Sequence, residues 1–194
     1  MPASADPFGE LLDAAAGGAP WACRELWERF APGVVGFVRS HGAVDPEGLT
    51  SEVFLAVFRA LPRFVGDEGG LRALIYTIAR RRLVDEHRRR GARPTEVAWE
   101  ATSDRRCTPS AEELALDGIA EVDVSALLAT LAPDQREVLT LRLLGDLTVT
   151  QVAELLGKRP GAVKALQRRG LANLRRSLEA AGWSPAGATE GTRS

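Results

Sequence analysis

Apolar residues recur at helical spacing along most of this chain and rarely alternate, which predicts an all-α protein. Leu11 and Leu12, then Leu26, Trp27, Phe30, Val34, Phe37 and Val38, mark helices from Gly9 onward, with Gly17-Gly18 as a break between two of them. Asp45-Pro46-Glu47 is a helix-start signal: a side-chain cap, a Pro at the first position and an acid near the positive dipole end. That helix runs to about Leu61 and stops before Pro62. Arg63–Gly70, RFVGDEGG, reads as a loop. Leu71 to about Arg90 forms the next helix, with Leu71, Leu74, Ile75, Ile78, Leu83 and Val84 as its apolar positions. From Gly91 the pattern fails across a segment marked by Pro94, Pro109 and Ser110, acidic from Glu112 to Asp123. It returns with Val124, Leu127, Leu128 and Leu131, and Pro133 starts a helix carrying Val138, Leu139, Leu141, Leu143 and Leu144. The expected organisation is two small helical domains, 9–93 and 122–182, on a flexible linker over 94–121. Disordered ends are expected at 1–8 and 183–194.

Thr148 to Leu178 is the most specific stretch, reading as two helices joined by a short turn. Thr148 and Gln151 stand at capping-box spacing. Gly157 suits the left-handed position past a helix end, and Pro160 the first turn of the next helix. Projecting that second helix at about 100° per residue places Val163, Leu166, Gly170, Leu171, Leu174 and Leu178 on one side. Lys164, Arg168, Arg169, Arg175 and Arg176 fall opposite, around Gly161, Ala165 and Ala172. No acid occurs between Glu154 and Glu179, whereas an ordinary solvated face mixes signs. A helix with one buried side and a cationic side of small central residues suits the DNA major groove.

The formal net charge of −1 says nothing about a polyanionic partner, so the distribution carries the signal. Basic residues cluster at Arg80–Arg93 and Lys158–Arg176. In the first cluster Tyr76 lies one turn before Arg80, and a basic helix end with an aromatic can hold phosphates and an unpaired base. The Pro46–Leu61 helix has a broad apolar face, with Leu55 and Phe58 projected away from its centre and Glu47, Ser51 and Glu52 on its flanks. That pattern fits either a partner-docking surface or a helix sandwiched within its own domain.

Several classes are excluded. Two distant cysteines, Cys23 and Cys107, and two histidines, His41 and His87, give neither a disulfide framework nor a zinc spacing. There is no phosphate-binding Gly-rich loop of the Walker or Rossmann type, no plausible nucleophile–His pair, and no facing carboxylate pair. No enzyme activity and no cofactor are therefore expected. The chain lacks a signal-peptide pattern and any long apolar run, so a cytoplasmic location is expected.

The segments in this order resemble an extracytoplasmic-function sigma factor of the sigma-70 family. DPEGLTSEVFLAVFRALPRF followed by GLRALIYTIARRRLVDEHRRR is similar to sigma region 2. LATLAPDQREVLTLRLLGDLTVTQVAELLGKRPGAVKALQRR is similar to region 4. The resemblance implies that the Asp45–Phe58 helix docks on the clamp coiled coil of the largest subunit of core RNA polymerase, through Asp45, Glu47, Ser51, Glu52 and Leu55. Region 4 would meet the polymerase flap. It further implies that the Arg63–Gly70 loop and the following helix read and melt the −10 promoter element, with Arg63, Tyr76, Arg80, Arg81 and Arg88 in contact. The −35 element would fall to Lys158, Arg159, Lys164, Gln167, Arg168 and Arg169. An anti-sigma factor is an implied partner. Departures from the family pattern are Ala73 where Trp is frequent, Arg81 where Asn is frequent, and Arg159 in place of a small capping residue. The competing reading is a stand-alone helix-turn-helix regulator that binds operators without polymerase.

Overall fold

The computed structural model describes residues 6–91, 127–128 and 130–180. Among them are seven bounded α-helices, one 3-10 turn and no strand. The first four helices are α1 (Pro7–Ala16), α2 (Pro20–Ser40), α3 (Pro46–Ala60) and α4 (Glu68–Gly91), with the 3-10 turn over Leu61–Arg63. The last three are α5 (Pro133–Leu143), α6 (Val149–Leu156) and α7 (Pro160–Ala180). The expected linker 94–121, the start of the second domain at 122–126, Cys107 and the tail from Trp183 lie outside the described residues.

Side-chain caps set the helix starts. Asp45 accepts from the Gly48 amide at 2.8 Å ahead of Pro46, as its sequence signal predicts. The same device appears at Asp6-Pro7, where Asp6 accepts from the Phe8 amide at 3.1 Å. Helix α1 therefore begins inside the segment expected to fray. The RFVGDEGG stretch also differs from the expected loop. Asp67 accepts from the Gly70 amide at 2.8 Å, and its carbonyl from the Leu71 amide at 2.9 Å, so α4 starts three residues before Leu71. A well-placed carboxylate cap here outweighs the poor helix propensity of two glycines.

Helices α2, α3 and α4 pack around Phe37, Val53, Phe54, Val57, Leu71 and Ile75, all with at most 1% of their surface exposed. Fully burying side chains of this size contributes about 1.5–3 kcal/mol each. The same apolar cluster continues into the C-terminal half through Val138, Leu141, Leu147, Val152, Ala153 and Val163. A smaller cluster of Leu128, Leu131 and Leu139 is joined by Leu144 and Leu174. The two halves are thus pressed together in this arrangement. Trp27, placed by periodicity on the buried stripe, is 36% exposed, with its ring centroid 4.8 Å from that of Phe54.

Candidate nucleic-acid and partner interfaces

Helix α3 presents two distinct sides. Leu49, Val53 and Val57 are buried, while Glu47, Ser51 and Leu55 form an exposed row at spacings of four, with Asp45 and Glu52 beside it. Leu55 is 55% exposed. Phe58 instead turns back to the core, its centroid 5.8 Å from that of Phe54. The acids are held loosely from neighbouring helices: Arg39 reaches Glu47 at 2.6 Å and Arg82 approaches Glu52 at 3.8 Å. Both pairs are half exposed, a setting in which ion pairs contribute only about 0.2–1 kcal/mol. A partner can therefore replace them at small cost.

The helix-turn-helix forms as its sequence predicts. The Gln151 amide donates to the Thr148 hydroxyl at 3.2 Å, and the Thr148 amide to the Gln151 side chain at 2.8 Å, closing the capping box. Gly157 takes φ 62°, the left-handed conformation that ends α6 and turns the chain into α7. Val163 and Gly170 of α7 are buried, and Asn173 donates to Gln135 of α5 at 2.8 Å. Lys164, Arg168, Arg169, Arg175 and Arg176 are exposed on the other side, around exposed Gly161 and Ala172. Arg159 is exposed as well, and its carbonyl accepts from the Ala162 and Val163 amides. Gln167 is half-buried, toward the apolar side. Lys158 pairs with Asp134 of α5 at 3.2 Å.

The basic residues around α4 divide into two groups. Arg63, Arg81 and Arg88 are exposed. Tyr76 and Arg80 are engaged by the C-terminal half. Tyr76 is 2% exposed and donates its hydroxyl to the Leu144 carbonyl at 2.8 Å. Burial pushes its phenol well above the ordinary tyrosine range, so it remains a donor. Arg80 donates from Nε to Glu137 at 2.7 Å. An open pocket of about 220 Å³ lies beside this pair, lined by Thr77, Arg80, Arg81, Val84, Asp85 and Leu155.

Sequence reasoning missed Arg72. It sits one turn before Tyr76, pairs with Glu68 on its own helix and reaches Asp146 at 2.9 Å. Its guanidinium also lies 5.4 Å from the centroid of Phe30. Glu68 four residues upstream was the available signal for the local pair. The Asp146 contact spans 74 residues and leaves no local trace. Gln151, read only as a cap, also donates from Nε2 to the Gly69 carbonyl at 2.9 Å.

Residues 26–93 match the family described as Sigma-70 region 2, and residues 121–174 that described as Sigma-70, region 4. Over 187 residues the chain is 34% identical to the ECF RNA polymerase sigma factor SigD of Mycobacterium tuberculosis (strain ATCC 25618 / H37Rv), covering 90% of this chain and 87% of that protein. It is 32% identical over 184 residues to the ECF RNA polymerase sigma factor ShbA of Streptomyces griseus, covering 89% of this chain and 95% of that protein. Among solved structures it resembles CnrH in complex with the cytosolic domain of CnrY, with a TM-score of 0.60 at 23% identity over 90% of this chain and 99% of that one. It also resembles the sigma factor RpoE of Bartonella quintana in complex with the anti-sigma factor NepR, with a TM-score of 0.58 at 19% identity, covering 80% of this chain and 96% of that one.

A helical domain matching region 2, followed by a helix-turn-helix domain matching region 4, defines a sigma-70 transcription initiation factor, which directs transcription to promoters. No described helix is long and apolar enough to cross a membrane. Within that class the chain belongs to the extracytoplasmic-function sigma factors.

Proposed function

We propose that this chain seats α3 on core RNA polymerase through Asp45, Glu47, Ser51, Glu52 and Leu55. The observation that carries the reading is the exposed Glu47–Ser51–Leu55 row, which backs onto a fully buried side of the same helix. A stand-alone helix-turn-helix regulator has no use for such a row.

Helix α7 then reads the −35 duplex. Lys164, Arg168 and Arg169 face bases or phosphates, and Lys158 and Arg159 approach the backbone where the helix begins. Gln167, half-buried, contributes at the edge of that face. The Arg63–Asp67 segment and α4 handle the −10 strand through Arg63, Tyr76, Arg80, Arg81 and Arg88. Holding a base out of the stack costs a few kcal/mol, which phosphate contacts and a snug pocket must offset. The chain performs no catalysis itself and works in the cytoplasm. An anti-sigma factor is a further partner, as in the complex of Bartonella quintana RpoE with NepR.

Run-off transcription with purified core polymerase tests the reading on promoter DNA, chosen from transcripts induced by forced expression. Initiation at a shared upstream element is the expected result. Tight duplex binding by the chain alone, with no initiation by core plus chain, would overturn it.

A further inference from the structure

The turn between α2 and α3 is specified residue by residue. Gly42 takes φ 78°, its amide donates to the Arg39 carbonyl at 3.0 Å, and the Ala43 amide donates to the Val38 carbonyl at 3.1 Å. These two bonds form the left-handed ending that stops a helix. Asp45 then caps α3. Val44 is the one residue between the two devices. Its amide donates instead to Glu86 of α4, at 3.0 Å. Arg90, one helical turn beyond Glu86, donates to the Gly42 carbonyl at 2.9 Å and lies 3.4 Å from the same Glu86 oxygen. Two side chains of α4 thus grip the turn by one backbone donor and one backbone acceptor. Both bonds are charge-assisted, the stronger kind. Glu86 and Arg90 belong to the basic end of α4, yet both spend their hydrogen bonds on this turn.

The grip displays Val44, which is 71% exposed. An apolar residue just ahead of a helix cap ordinarily packs on the fourth helical residue, here Leu49. Leu49 is buried in the core, whereas Val44 keeps most of its surface in solvent. A lone exposed valine is ordinary by itself. This one sits on a tethered turn, directly ahead of Asp45 and Glu47, at the head of the Glu47–Ser51–Leu55 row. Leu55, at the far end, is 55% exposed. At 1.5 Å per residue the two apolar residues stand roughly 15–20 Å apart along α3, with polar residues between them. Apolar anchors in a polar surround are the makeup of a protein interface.

We infer that Val44 is an apolar contact for core polymerase, held in place by Glu86 and Arg90 as positioning residues. The inference rests on the assignment of α3 to polymerase docking and extends that surface past the helix onto the turn. The matching polymerase surface carries an apolar site beside basic groups that suit Asp45 and Glu47. Glu86 and Arg90 act through the turn and do not themselves touch the polymerase.

Full-length variants are compared by competition against labelled wild-type chain for core polymerase, by thermal unfolding and by binding to duplex DNA. Val44→Ser should weaken core association by about fivefold or more. Its unfolding midpoint and duplex binding should stay at wild-type levels. Glu86→Ala should also weaken core association, and Glu86→Gln, which keeps an oxygen for the Val44 amide, should restore much of the loss. Val44→Ser combined with Glu86→Ala should lose less than the product of the two single losses, because both act at one contact. Wild-type core affinity in Val44→Ser would overturn the inference. Losses that multiply in full, with no rescue by Glu86→Gln, would overturn the positioning role. Leu55→Ser separates these results from the α3 assignment. If it weakens association and Val44→Ser does not, the docking row stands and its extension fails; if neither weakens it, the α3 assignment falls as well.

Discussion

Tyr76 donates its hydroxyl to the Leu144 carbonyl across 68 residues of sequence, joining α4 to the turn before the helix-turn-helix. Its ring packs edge-on against Phe37, with centroids 5.5 Å apart. Tyr76→Phe keeps that packing and leaves the carbonyl without this donor. The full chain should lose about 0.5–1.5 kcal/mol in urea unfolding, the usual net worth of one hydrogen bond. Unchanged stability would mean that water replaces the hydroxyl at no cost.

Lys164→Ala and Arg168→Ala should each weaken duplex binding and lower the slope of log affinity against log salt by about one, if the residue meets a phosphate. A base contact would instead relax sequence preference at one position. Fluorescence anisotropy over a salt series on promoter and scrambled duplexes separates the two. Association with core polymerase should remain at the wild-type level.

Leu55→Ser changes a side chain that is already 55% exposed, so folding stability should move by no more than about 0.5 kcal/mol. Competition against labelled wild-type chain for core polymerase should nevertheless show a clear loss of affinity, which Glu52→Gln should deepen. Retained affinity in the double variant would move the docking surface off this row.

Thr148→Ala removes half of the capping box and should cost about 1 kcal/mol, read as a lower midpoint in thermal unfolding. This device was legible from sequence because both partners lie within four residues. The same holds for Asp45-Pro46 and for Gly157. Asp67 was equally local, but the two glycines behind it disguised the start of α4 as a loop. The pairs Arg72–Asp146, Arg80–Glu137 and Tyr76–Leu144 were not legible. Each joins residues whose own neighbourhoods give no hint of the other, and only the docking of two domains brings them together. Leu55 and Phe58 show the limit of projection: the wheel placed both off-centre, and packing on Phe54 drew only Phe58 inward.

His41 should make the chain sensitive to mild acid. Burial lowers its pKa below the ordinary 6.5, opposed by its bond to the Phe37 carbonyl and by Glu137, and aided by Arg136 and His87. The unfolded chain then binds the proton more readily than the folded one. Stability should be intact above pH 6.5, fall as the pH drops toward the lowered folded value, and level off below it. His41→Asn should flatten that part of a melting-temperature profile. An equally steep decline in the variant would assign the effect to other groups.

Gln151 works at both ends of its amide. Its oxygen fastens the start of α6, and its nitrogen reaches the Gly69 carbonyl at the head of α4. Only the second hold crosses between domains. The two holds are independent of each other, since the oxygen accepts and the nitrogen donates. One side chain thus ties the starting turn of the helix-turn-helix to the first helical turn of a helix in the other domain.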